Sequence, residues 1–156
     1  KFLFFFSISF ILLDLFSNII GISFFEFVFA APTAFLLGLA GFDSTIQAGE
    51  PVLVFVYGFG LPIALTYLCT GLLEWIVLAS AIFSTTEISL KKRAFGIVGA
   101  SAGVFLFNLF RINASIFSMI FFGASFAEFS HDVLFRVFLF FSIAGFYFLW
   151  LKNALK

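Results

Sequence analysis

Charged residues are scarce in this sequence. Eight basic and eight acidic residues make up only 10% of its 156 residues, whereas 63% are hydrophobic. A soluble domain carries about 25% charged residues, and a soluble fold of this length could not bury so much apolar surface. Together with a mean hydropathy of +1.24, this shortage excludes an ordinary soluble domain and indicates an integral membrane protein.

Other shortages exclude particular kinds of site. The single cysteine, Cys69, excludes an intrachain disulfide. One cysteine and one histidine, His131, are too few for the usual zinc ligand sets, so we expect no metal. A net charge of zero provides no basic surface for nucleic acid. No glycine-rich phosphate loop or nucleotide fingerprint is present, and we expect no cofactor.

Apolar runs long enough to cross a bilayer divide the chain. A spanning helix needs about 20 mostly apolar residues. The sequence therefore predicts an all-α transmembrane bundle that forms one integral membrane domain over residues 1–156. It predicts about five spans, at roughly 2–21, 24–40, 72–88, 94–111 and 133–151.

Two segments do not fit a simple span. Residues 41–69 begin with the most polar stretch of the chain and form the predicted outer loop. Within it, residues 52–68 contain short apolar pieces bounded by Gly and Pro, which favour either a small extracytoplasmic β-hairpin or a re-entrant segment. Residues 112–130 are apolar but carry scattered polar side chains, and this pattern favours a re-entrant or interfacial helix over a further span.

Basic residues set the expected orientation. By the positive-inside rule, residues 91–93 and 152–156 face the cytoplasm, since both carry lysines beside an apolar run. The third span then begins outside, at Cys69, and the fourth ends outside, at Arg111. If residues 112–130 do not cross, His131 also lies at the outer face. The cell membrane is the expected location, with these three side chains on its extracytoplasmic side.

Cysteine, histidine and arginine together are a complete set for acyl transfer through a thioester. A thiolate is a strong nucleophile, and Cys69 precedes a predicted helix start, where thiol pKa values are lowered. An imidazole such as His131 can accept the thiol proton and later protonate a leaving amine. The guanidinium of Arg111 can stabilise the oxyanion. Taken singly, a membrane cysteine is usually a packing residue and an arginine at a helix end often snorkels.

Several neighbours of these residues are candidate binding or orienting groups. Thr70 is a plausible helix cap, and Asn108 lies one turn before Arg111, where its amide can orient the guanidinium. Glu74 is more plausibly a structural partner of a cation than a base. Arg136 is either a second site cation or a membrane anchor. Polar residues at helical spacing form a stripe expected to face protein or water: Ser101, Asn108, Arg111, Ser115 and Ser118.

Three motifs in this order resemble the exosortase/archaeosortase family. Cys69-Thr70-Gly71-Leu72 is similar to the family's cysteine motif, and Asn108-Leu109-Phe110-Arg111-Ile112 to its Asn-x-x-Arg motif. His131 precedes the final apolar run, as the family's histidine does. The resemblance covers roughly residues 30 to 150. It implies a membrane-embedded cysteine transpeptidase with Cys69 as nucleophile, Arg111 as the cation that orients substrate or transition state, and His131 as acid/base.

The same resemblance implies the partners. Substrates would be exported proteins with a C-terminal signal made of a short motif, a transmembrane helix and a basic tail. The enzyme would cut near the motif on the outer face and transfer the new C-terminus to a lipid or another acceptor. Two other classes stay open from the residues alone: a transporter or channel subunit with an arginine-lined pathway, and a non-catalytic membrane assembly protein in which Cys69 only packs.

Overall fold

The computed structural model describes residues 1–58, 62–129 and 135–155, and these are mostly helical. The helices and strands follow one another in the order α1 (Phe2–Ile20), α2 (Ile22–Leu39), β1 (Ser44–Gln47), β2 (Val52–Val56), β3 (Pro62–Leu65), a 3-10 turn (Tyr67–Cys69), α3 (Leu72–Ser84), α4 (Leu90–Phe122), α5 (Ala124–Phe129) and α6 (Phe135–Ala154).

Four helices in the described part of the chain are long and apolar enough to cross a membrane: α1, α2, α4 and α6. They indicate a multi-pass membrane protein. Helix α3 has 13 residues, about 20 Å at the helical rise, and is shorter than the expected span over residues 72–88. The helix ends at its C-cap Thr85, whose backbone leaves the helical region (φ −80°, ψ 76°), and the hydroxyls of Ser84 and Thr85 donate to the carbonyls of Ser80 and Ala81.

Helix α4 differs most from the expectation. The sequence suggested a span over 94–111 and a separate helix after it, but α4 continues without a break to Phe122. Its 33 residues extend about 50 Å. Polar residues do not interrupt it, because Asn113 Nδ2 bonds back to the Leu109 carbonyl at 2.8 Å. The helix ends at Gly123, whose φ of 86° leaves the helical region.

The polar loop folds into a three-stranded antiparallel sheet in the order β1-β2-β3. The expected hairpin corresponds to β2 and β3, so these residues form strands and not a re-entrant helix. Strand β1 was not expected, because its Ser, Thr and Gln resemble loop residues. The central strand β2 buries alternate valines, including Val54, against α2 and the extension of α4 at Ile112 and Ile116.

Helix α6 runs antiparallel to α4 and places the two basic segments at one end of the bundle. Near that end Lys92 Nζ donates to the Ala154 carbonyl at 2.7 Å. Near the other end the Phe107 and Phe138 rings lie 5.3 Å apart. The first turn of α6 therefore lies at about the level of Arg111, at the opposite end from the lysines.

Candidate functional site

Cys69 is the last residue of the 3-10 turn that joins the sheet to α3. Its backbone N–H donates to the Thr66 carbonyl at 2.7 Å, which closes the turn. Its Sγ lies 3.4 Å from the Thr66 hydroxyl. The side chain is partly exposed, as a nucleophile that meets a substrate must be. A short hydrogen-bonded turn thus presents the thiol three residues before α3 begins.

Gly71 allows α3 to start against α4. Its φ of 67° lies in the left-handed region, which non-glycine residues adopt at a cost. A Cβ at this position would overlap the Asn108 carboxamide. Two separate constraints, conformation and close approach, therefore require glycine. The sequence motif included Gly71, but its role as a contact between helices was not recognisable before the partner helix was placed.

Asn108 is completely buried at this contact. Its exposed fraction is 0%, and its Nδ2 donates to the Val104 carbonyl at 2.9 Å. Its Oδ1 has no hydrogen-bond partner among the described residues, which is uncommon for a buried amide. The carboxamide packs against Gly71, and the expected role of Asn108 in orienting the guanidinium stays a prediction.

Arg111 binds the backbone that carries the cysteine. Its side chain is 3% exposed, and Nη2 donates to the carbonyls of Leu68 and Cys69 at 2.9 and 3.0 Å. A buried charge is costly unless it is hydrogen-bonded, and these charge-assisted bonds offset part of that cost. The guanidinium therefore joins α4 to the turn, 42 residues away in sequence from Cys69.

Thr70 precedes Gly71, the N-cap of α3, so it is not the expected cap, although its hydroxyl bonds to the first residue of that helix. Its hydroxyl accepts from the Leu72 N–H at 3.3 Å and donates to the Tyr67 carbonyl at 2.7 Å. Among the described residues no ion pair joins Glu74 to Arg111; Glu74 instead influences Tyr67. Burial, and then the negative charges of Asp14 and Glu74, raise the pKa of the Tyr67 phenol, so that it stays protonated at neutral pH.

The polar stripe of α4 faces protein, as its spacing indicated. Below the cysteine turn, Trp75 Nε1 donates to Ser101 Oγ at 2.7 Å and ties α3 to α4. Ser101 in turn donates to the Ile97 carbonyl. The sequence included Ser101 in the stripe but gave no reason to pair it with Trp75. The first residue of the stripe, Ser101, thus contributes to the contact between α3 and α4.

The side chains of two expected site residues, His131 and Arg136, are not among those that the structure describes. His131 lies outside the described residues. Arg136 is the second residue of α6, and its side chain is likewise outside the described part. The structure therefore brings together Cys69, Thr70, Asn108 and Arg111, with Gly71 as the contact that was missed. No group of three or more metal-ligating side chains occurs within the described ranges.

Comparisons with protein-family models, curated proteins and solved structures found no match to this chain.

Proposed function

We propose that this chain is a membrane-embedded cysteine protease or transpeptidase, with Cys69 as its nucleophile. As the exosortase/archaeosortase resemblance implies, its substrates are exported proteins with a C-terminal sorting signal, and a lipid or another acceptor receives the cleaved protein. The observation that carries the proposal is the contact of the Arg111 guanidinium with the carbonyls of Leu68 and Cys69. This contact joins two of the three motifs of that resemblance, the cysteine motif and the Asn-x-x-Arg motif, which are distant in sequence, and Cys69 there is partly exposed. A cysteine that merely packs would not need a buried cation on its own backbone.

The proposed chemistry starts from a cysteine whose backbone is held by a cation. The Cys69 thiolate attacks the scissile carbonyl carbon of a substrate, and positive charge from Arg111 favours the oxyanion that forms. His131 is the proposed group that takes the thiol proton and returns it to the leaving amine. Breakage of the C–N bond leaves a thioester on Cys69. An amine or hydroxyl of the acceptor then attacks the thioester and frees the thiol.

The position of Cys69 along the bundle supports action at one membrane surface. Arg111 lies 19 residues along α4 from Lys92, about 28 Å at the helical rise, close to the ~30 Å thickness of a hydrocarbon core. With the lysines in the cytoplasm, the thiol lies near the opposite, extracytoplasmic surface of the cell membrane. Exported proteins expose their sorting signals on that surface.

The direct test is cleavage of a co-expressed reporter with a C-terminal motif, transmembrane helix and basic tail. We expect a size shift of the reporter with the wild-type chain and none with Cys69→Ala or Cys69→Ser. Leu68→Met is the matched control, because it changes the neighbouring side chain and keeps both carbonyls. Full processing by both cysteine variants would contradict the proposal and favour a non-catalytic role.

A further inference from the structure

An open apolar groove lies at the basic end of the bundle, far from Cys69. It runs between the first turns of α4 and the last turns of α6, with a volume of about 450 Å³. Its walls are formed mainly by Phe95, Gly96, Gly99, Phe146, Leu149 and Trp150. The volume is in the range of small-molecule pockets, ~300–1,000 Å³. The shape suits an aliphatic chain, because the exposed Gly99 leaves this part of α4 without a side chain between the aromatic walls.

Packing of Trp150 preforms the wall of this groove. A Cβ at Gly96 would overlap the indole, so the glycine admits the ring against the backbone of α4. The indole Nε1 donates to the Lys92 carbonyl at 3.3 Å. Phe146 packs on Gly99 and Gly103 one turn further along. A groove whose aromatic walls are already fixed needs little ordering when it binds a ligand.

Positive charge lies at the mouth of the groove. Lys92 lines it and uses one of its three ammonium protons on the Ala154 carbonyl. Among the described residues no second hydrogen bond of this ammonium is formed, which leaves two of its protons for a ligand. Lys91, Arg93 and Lys152 lie at the same end, and Glu87 is the one acidic residue in the described segments 85–93 and 150–155. An apolar groove that opens beneath such a cluster matches a ligand with an aliphatic chain and an anionic head.

We propose that this groove binds an anionic phospholipid of the adjacent leaflet. The headgroup phosphate accepts hydrogen bonds from the Lys92 ammonium. Asn153 also lines the groove, and its side-chain amide donates to the same phosphate. One acyl chain lies along Gly99 and the outer face of the Trp150 indole, beside Phe95. A lipid headgroup at this end of the bundle agrees with the position of Trp150, since tryptophan is enriched at the interface between membrane and water.

The test is titration of the full chain, in detergent, with phosphatidylglycerol and with phosphatidylcholine of the same acyl chains, read by native mass spectrometry. We expect tighter binding of phosphatidylglycerol to the wild type. Lys92→Gln should weaken it about fivefold, the equivalent of ~1 kcal/mol for one basic residue at a membrane surface. Gly99→Leu, which fills the groove, should remove the preference for phosphatidylglycerol.

Lys91→Gln is the matched control, because it removes the same charge beside the groove but does not line it. An equal loss in the Lys91 and Lys92 variants would overturn the proposal in favour of general surface charge. Equal binding of the two lipids would also overturn it. A dimer that persists without lipid and is lost in Gly99→Leu would assign the groove to a second copy of the chain instead.

Discussion

The junction of Gly71 with Asn108 fixes where α3 begins. Gly71→Ala should destabilise the protein by more than the ~1–2 kcal/mol that a left-handed backbone costs an L-residue, because its methyl group also meets the buried carboxamide. Gly41→Ala is the matched control, with a φ of 87° and open space around it. Thermal unfolding of both variants measures the difference. Equal losses would show that the Asn108 contact contributes nothing.

Arg111 positions the cysteine turn through geometry as well as charge. We expect Arg111→Gln to abolish reporter cleavage, and to slow alkylation of Cys69 by iodoacetamide at neutral pH. Arg111→Lys should restore a small part of both rates, since an ammonium keeps the charge but lacks the planar fork of the guanidinium. Full activity in Arg111→Gln would contradict a positioning role. If cleavage were lost while the rate of alkylation stayed unchanged, Arg111 would act by binding the substrate and not by positioning Cys69.

At the scale of single residues, the sequence allowed candidate site residues to be selected but did not reveal their contacts. Cys69 and Arg111 could be selected because ionisable and nucleophilic residues are rare in such an apolar chain. The partners of the guanidinium could not be predicted, because they are main-chain carbonyls and carry no signal in the sequence. Asn108 was assigned to Arg111 from spacing on one helix, whereas its packing depends on a glycine from another.

Among the secondary-structure elements, Glu26 joins α2 to the sheet. The side chain is 3% exposed, and Oε2 accepts from the Val52 N–H at 2.9 Å. Glu26→Ala leaves this N–H without its partner and should cost about 1–3 kcal/mol, whereas Glu26→Gln keeps an acceptor and should cost less. Glu50→Ala is the control, since Glu50 is exposed and, within the described ranges, accepts a side-chain hydrogen bond only from Ser23. Equal melting temperatures in all three variants would show that the hydrogen bond from Val52 to Glu26 does not stabilise the protein.

Helices were easier to predict than their ends. The long apolar runs located α1, α2 and α6 to within a few residues, since lipid-facing helices need continuous hydrophobicity. The extension of α4 was missed because its asparagine and serines resemble a boundary, although Asn113 bonds back to the carbonyl of the preceding turn. Strand β1 was missed because its composition is not typical of a strand. It is a strand because it hydrogen-bonds to β2, and such pairing cannot be read from one segment alone.

For the whole molecule, the account predicts that Cys69 and the basic segments face opposite sides of the membrane. A membrane-impermeant maleimide added to intact cells should label Cys69. Lys91→Cys in a Cys69→Ser background should be labelled only after the cells are permeabilised. Labelling of both positions from outside would contradict the orientation, and labelling of Lys91→Cys alone would invert it.

The central claim is that Cys69 forms a covalent acyl intermediate in the site that Arg111 holds. The most direct measurement is mass spectrometry of the Cys69 peptide after the chain is mixed with a tail-bearing reporter and quenched in acid. We predict a thioester that joins Cys69 to the C-terminus of the cleaved reporter and that hydroxylamine removes. Cleaved reporter accompanied by an adduct on another residue, or by full turnover in Cys69→Ala, would contradict the account.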